Sequence, residues 1–462
     1  MTTPTEPDDS SRLERALGWA WSDDQPWELL TALTQLENRM GGSPGERAAA
    51  DLVAEAFERV GVANVGLESF PIQYWERGET TFVVTDPVER EFEALALPYA
   101  PAADLEAPLV DVGYGTPEEI DAAGKAVEGA IVVASTTTPA GQRFVHRMEK
   151  FGHAVDAGAA GFVFANHVPG QLPPTGSLRF DREAAIPGIG VSAETHDWLT
   201  EYANSPTSGA DESANARANL RVEATTTDGS SQNVVGTLGP DTDDELLMLA
   251  HYDAHDVAEG ALDNGCGVAT ILGAASILAD VESDLGCRVR VAAVGCEEIG
   301  LLGAEALAER LDLESIRAVV NVDGAGRFRN PQAYSHASEE MRALATEVGE
   351  RYGQPVVHET DPHPFSDHWP FLRAGVPALQ LHSEPAGGGE RGRGWGHTAA
   401  DTRDKVDVRN IRTHAMLAAL LVRTLSRRTP SRIDATDLRE AFREQHYEPG
   451  MRASDTWPRA WD

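Results

Sequence analysis

From about Asn233 onward the chain alternates short, wholly apolar runs with longer amphipathic ones. No other feature of the 462 residues constrains the fold as strongly. The runs NVVGTLG, ELLMLAHYD, VRVAAVGC, IRAVVNVDGAG and PALQLH read as strands. Between and after them CGVATILGAASILAD, GAEALAERL, MRALATEVGERYG and THAMLAALLVRTLS read as helices. Strands that are apolar on both faces need cover on both sides. The expected class is therefore α/β, with a mostly parallel (mixed) central sheet flanked by helices.

Upstream the texture differs. Residues from about Trp27 to Val62 read as helices, the second of them (ERAAADLVAEAFERVG) closed by Gly61, and VGLESFPIQYW alternates like a strand. From about Thr80 to Asn215, PLVDVGYG, GAIVVAS and GFVFANH alternate with Gly, Pro and Asp turns around one helix-like stretch, HRMEKFGHAVDAGAAG. This reads as a small β-rich insertion. The expected division is 1–78 and 216–430 for one main domain, 79–215 for the insertion, and 431–462 for a C-terminal tail.

The 74 acidic residues against 38 basic ones give a net charge of −36, which repels nucleic acid and anionic membranes. Lys125, Lys150 and Lys405 are the only lysines. Acidic excess with lysine nearly absent resembles the proteins of salt-accumulating halophiles, in which hydrated carboxylates keep a chain soluble. A hydrophobic fraction of 41% supplies a core and argues against disorder. Cys266, Cys287 and Cys296 are odd in number and form no CxxC pair, so neither a thiolate zinc site nor a disulfide framework is supported. Cys266 and Cys296 read as small buried hydrophobes. The N-terminus lacks a basic region followed by an apolar one, and no apolar run reaches the roughly 20 residues of a span. A cytoplasmic protein is the expectation.

In the α/β region His, Asp and Glu gather at or just beyond strand ends, where such sheets place their sites. AHYDAHD supplies His251 and Asp253, GALDNGCG supplies Asp263, and VRVAAVGCEEIG supplies Glu297 and Glu298. AVVNVDGAG supplies Asp323 and GWGHTAADT supplies His397. Imidazole with carboxylate, without thiolate, suits zinc, manganese or cobalt.

Together HxD, GAxDNxxG, EEIGLLGAE, NVDGAG, SDHWPFLRAGVPALQL and GHTAADTRDKVD resemble the M28 family of co-catalytic zinc peptidases. GKAVEGAIVVAS, AGAAGFVFA and IPGIGVS resemble a protease-associated (PA) domain. The resemblance spans roughly Trp27 to Ser426. It implies the phosphorylase/hydrolase-like zinc exopeptidase fold and two Zn2+ ions, with Mn2+ or Co2+ accepted by the same donors. His251 and Asp323 would bind one ion, Glu298 and His397 the other, and Asp263 both. Glu297 would be the general base for a metal-bridging hydroxide, and Asp253 would orient His251. The Asp263–Asn264 bond is expected to be cis.

Asp367 and His368 match a family segment near the substrate pocket, with a structural hydrogen-bonding role the alternative. His255, His336, His358, His363 and His382 read as surface or packing residues. Trp395 and the GGGERGRGWG loop are placed at the entrance, and Arg391 and Arg393 could hold a substrate carboxylate. The resemblance implies peptide substrates and, first, an aminopeptidase. A carboxypeptidase or dipeptidase of the glutamate carboxypeptidase type is second, because HDVAEGALDNGCG has the shape of that branch. A glutaminyl cyclase or a non-catalytic receptor-like protein comes last, since neither keeps the full donor set. The sequence leaves the oligomeric state open.

Overall fold

The structure is a computed structural model, described here for residues 9–204, 216–385 and 394–462. Among these residues fourteen strands join in a single mixed sheet. At its centre Glu245–His251 runs parallel to Arg288–Val294 on one side and to Ile316–Val322 on the other. Ala378–Glu384 continues the parallel order, and Asn330–Tyr334 reverses it. The expected α/β class is thus met.

The central strand explains why its sequence is apolar throughout. Leu246, Met248 and Ala250 belong to one core, whereas Leu247 and Leu249 belong to the core on the opposite face. The first core is closed by the helices Pro44–Arg59, Cys266–Asp280 and Val408–Leu425. The second is closed by Leu302–Arg310 and by the C-terminal residues. The tail whose role the sequence left open folds into Ala435–Glu444 and Tyr447–Ala453. It buries Leu438, Phe442, Met451, Trp457 and Trp461 against Trp369 and Phe371.

One expectation is corrected. Ala261–Asp280 does reach the length and hydropathy of a membrane span, at a mean hydropathy of 1.4. It was missed because Gly, Asn, Asp and Thr interrupt its apolar letters. In the fold 94% of its most apolar 18-residue window is inside the protein, where it serves as the core helix against Val408–Leu425.

Two long strands, Ala63–Asp86 and Arg217–Leu238, pair antiparallel from Ala63–Thr237 to Asp86–Arg217. Their inner ends belong to the central sheet through Arg288–Val294, and their outer ends carry the insertion through Ala103–Asp111. There Ile131–Ser135, Gly161–Ala165 and Gly188–Val191 follow in parallel. The insertion holds more helix than its sequence texture suggested. Pro117–Ala123 and Ala193–Asn204 join the expected Arg147–Asp156.

Candidate active site

The seven residues singled out above come from five separate segments, and the sheet brings them to one edge. His251 ends its strand fully buried, with Nε2 3.4 Å from Asp263 Oδ1. Asp263 presents its other oxygen to His397, with Oδ2 3.4 Å from Nε2. His397 Nε2 in turn lies 3.1 Å from Glu298 Oε2. Asp263 therefore stands between two donor groups. One is His251, Asp263 and Asp323, and the other contains Glu298 and His397; within each group the donor atoms lie inside 4.8 Å of one another. The Asp263–Asn264 peptide is cis, as expected.

Asp253 occupies the turn after His251 and is fully buried. Its Oδ1 is 3.3 Å from His251 Nδ1. The same carboxylate accepts the backbone N–H groups of Glu297 at 3.0 Å and Glu298 at 3.2 Å. One side chain thus orients the imidazole and fixes the start of the acidic pair.

The two adjacent glutamates are electrostatically opposite. Burial pushes the Glu297 carboxyl well above the usual range; His251 opposes this, while Glu298, Asp367 and Asp323 add to it. Burial acts on Glu298 in the same direction, yet His255 and His397 hold it well below that range. The two adjacent carboxyls thus sit in opposite electrostatic surroundings. Asp263 is also held well below, because Arg327, His251 and His397 outweigh its burial.

Further residues received no role from the sequence. Arg327 Nη2 lies 2.8 Å from Asp263 Oδ1 and 3.2 Å from Asp323 Oδ1. Asp401 accepts the N–H groups of Leu262 and Asp263, at 2.6 and 3.0 Å. Burial, reinforced by Asp263, pushes the Asp401 carboxyl up to about 6. Arg39 donates to the carbonyls of Tyr252, Glu259 and Gly260, pinning both ends of one loop. The insertion also reaches the site. Thr175 N–H donates to the His397 carbonyl at 2.8 Å, and the Thr175 carbonyl is 3.2 Å from His397 Nδ1.

Among the weaker candidates, Asp367 is fully buried and neither of its carboxylate oxygens has a hydrogen-bond partner. His368 is buried with Nε2 3.0 Å from the His363 carbonyl, a structural contact. His336 is buried and His382 half-buried in a ring cluster with Tyr334 and His363, which fits packing. His255 does not fit either expected role, since it lies 2.9 Å from Glu298 Oε2. Cys266 and Cys296 are buried as expected. Trp395 is exposed near the Lys405 ammonium, and Arg391 and Arg393 lie outside the described residues. A larger cavity, about 670 Å³, opens between the insertion and the C-terminal helices, lined by His146, Phe180, Leu301 and Trp457 and by none of the seven.

Residues 233–422 match the family model of peptidase family M28, and residues 105–199 match that of the PA domain. The chain carries an M28 peptidase domain with a PA insertion. It is therefore an enzyme of the metallo-exopeptidase class. Aminopeptidase YwaD of Bacillus subtilis (strain 168) is 26% identical over 383 residues, which cover 80% of this chain and 77% of that one. Carboxypeptidase Q of Mus musculus is 25% identical over 328 residues, covering 67% and 66%. The solved structure of BSAP, a zinc aminopeptidase from Bacillus subtilis, shares the fold at a TM-score of 0.66. That likeness covers 86% of this chain and 94% of the other at 23% identity.

The donor set fits a pair of ions. His251 Nε2 is buried with no hydrogen-bond partner, a poor state for an imidazole nitrogen unless it faces a ligand. Every donor is imidazole or carboxylate, and the shared Asp263 faces both groups.

Proposed function

We propose that this M28 enzyme is a dinuclear zinc aminopeptidase removing N-terminal residues from peptides. The observation that carries the reading is Asp263, whose two oxygens face His251 on one side and His397 on the other. Zinc is the metal of the structurally similar BSAP, and the 26% identity to the aminopeptidase YwaD extends over 80% of this chain. His251, Asp263 and Asp323 would hold one ion; Asp263, Glu298 and His397 would hold the other. When bound, two such ions polarise the scissile carbonyl and lower the pKa of water.

The remaining work falls to the chain itself. Glu297 takes a proton from the attacking water and delivers it to the leaving amine, a role suited to a carboxyl whose proton is held unusually tightly. Asp253 keeps the His251 ring turned with Nε2 towards Asp263, and holds the Glu297 and Glu298 amides in register. Asp401 fixes the turn that presents Asp263. Glu297→Gln should keep both ions and lose about 10²–10⁴-fold in turnover. Unchanged turnover would remove the assignment.

The second reading, a carboxypeptidase of the glutamate carboxypeptidase type, draws on the similarity to carboxypeptidase Q. Hydrolysis in molar potassium chloride with zinc separates the two. Free-amine peptides and aminoacyl-anilides form one substrate set, and N-blocked peptides with free C-termini form the other. Release of the N-terminal residue, abolished by blocking and by a chelator, supports the aminopeptidase. Cleavage confined to the blocked set supports the carboxypeptidase.

A further inference from the structure

His255 lies two residues beyond Asp253 and only 5% exposed, at the centre of the second donor group. Its Nε2 is 2.9 Å from Glu298 Oε2, and its ring meets that of His397 edge-on with centroids 4.5 Å apart. Despite this proximity, neither ring nitrogen of His255 makes a hydrogen bond. With no hydrogen-bond geometry between them, Nε2 and Oε2 are both left able to face a common third atom.

The spacing agrees with such convergence. Tetrahedral bonds of about 2.0–2.1 Å place ligand atoms roughly 3.3 Å apart. The separations here are 2.9 Å from His255 to Glu298, 3.1 Å from His397 to Glu298 and 3.4 Å from His397 to Asp263. The His255 loop is also fastened on both sides. Arg39 binds the carbonyls of Tyr252, Glu259 and Gly260, and Arg77 forms a bidentate ion pair with Asp256 at 2.6 and 2.9 Å. A loop braced in this way holds its imidazole ready, as a metal ligand requires.

Resting on the dinuclear reading above, we propose that His255 Nε2 is a further ligand of the second ion, beside Glu298, His397 and Asp263. The two sites would then differ in their number of protein donors. The second would have four, His255, Glu298, His397 and Asp263. The first would have three, His251, Asp263 and Asp323. The pair becomes asymmetric, with the second ion held by one donor more than the first.

The test is zinc titration into the chelator-stripped full chain against a competing chromophoric chelator, with folding followed by circular dichroism. The wild type should bind two ions. His255→Phe preserves a buried ring, and it should bind one ion as before and the other at least tenfold more weakly. His255→Asn should behave alike, so a failure of the larger side chain to fold does not spare the proposal. His255→Cys restores a zinc donor and should regain most of the lost affinity. Two ions bound at wild-type affinity by the Phe and Asn variants would overturn the proposal while leaving the dinuclear reading intact. So would a Cys variant as weak as the Phe variant, because packing alone would then explain the loss. Fewer than two ions on the wild type would overturn both.

Discussion

Asp401 accepts the backbone N–H of Asp263 at 3.0 Å, joining the loop of His397 to the turn that offers the shared carboxylate. Its other oxygen takes the neighbouring Leu262 N–H, so one side chain fixes two consecutive peptides 138 and 139 positions away in sequence. Asp401→Asn keeps the shape but points an amide donor at one of these N–H groups. The expected cost is about 1–3 kcal/mol of stability and a 10–100-fold loss of zinc affinity. Thermal unfolding and chelator competition measure the two; unchanged zinc affinity would refute the tether.

Glu46 provides a pH signature. It is fully buried, and it accepts from Gly42 N–H, Ser231 Oγ and Cys296 N–H, the last just ahead of the acidic pair. Burial, followed by Asp253, pushes its carboxyl up to about 8. Between about 4.5 and 8 the folded state keeps a proton that the unfolded chain has released. Stability from this group therefore falls as pH rises through that window, by up to a few kcal/mol at about 1.4 kcal/mol per unit. In the chelator-treated protein, Glu46→Gln should flatten the decline in thermal midpoint between pH 5 and pH 8. Parallel declines in the two proteins would show that Glu46 is not the source.

Gly176 sits beside Thr175 at φ +138°, where a Cβ would come within 2.4 Å of the Arg147 guanidinium carbon. Gly176→Ala must shift Arg147 or the backbone that grips His397. We expect a destabilisation of about 1–3 kcal/mol and a fall in kcat/KM of at least tenfold with the overall fold retained. Wild-type kcat/KM would mean the insertion does not help to place His397.

The acidic surface gives a further test. With a net charge of −36, self-repulsion should be relieved as the screening length falls from about 10 Å at 0.1 M salt to about 3 Å at 1 M. The thermal midpoint should rise steadily from 0.1 to 2 M potassium chloride. A flat or falling curve would end the halophilic reading.

The strands were legible because each is buried on both faces and spelled in apolar letters, as in ELLMLAH, whose seven residues are all buried. The seven clustered residues were legible because they follow such strands or sit in Gly-rich turns. What escaped were residues acting across the fold. Arg39 and Arg327 reach their partners only after folding, and nothing local distinguishes them from surface charges; Asp401 lies within GHTAADTRDKVD, but its partners are 138 and 139 positions away. His255 was read as packing because a lone histidine two positions past Asp253 carries no periodicity. The tail was unreadable since Ala435–Glu444 buries only Leu438 and Phe442, too few points for a pattern.

The paired strands Ala63–Asp86 and Arg217–Leu238 run from the part that holds the seven site residues into the insertion, with register shifts between Ala63 and Gly66, Arg77 and Thr80, and Val84 and Asp86, and the insertion itself grips His397 through Thr175. Two strands rather than one thus tie the insertion to the rest of the chain, and Thr175 adds a third tie at His397 itself. Any displacement of the insertion would pull directly on the His397 backbone and ring.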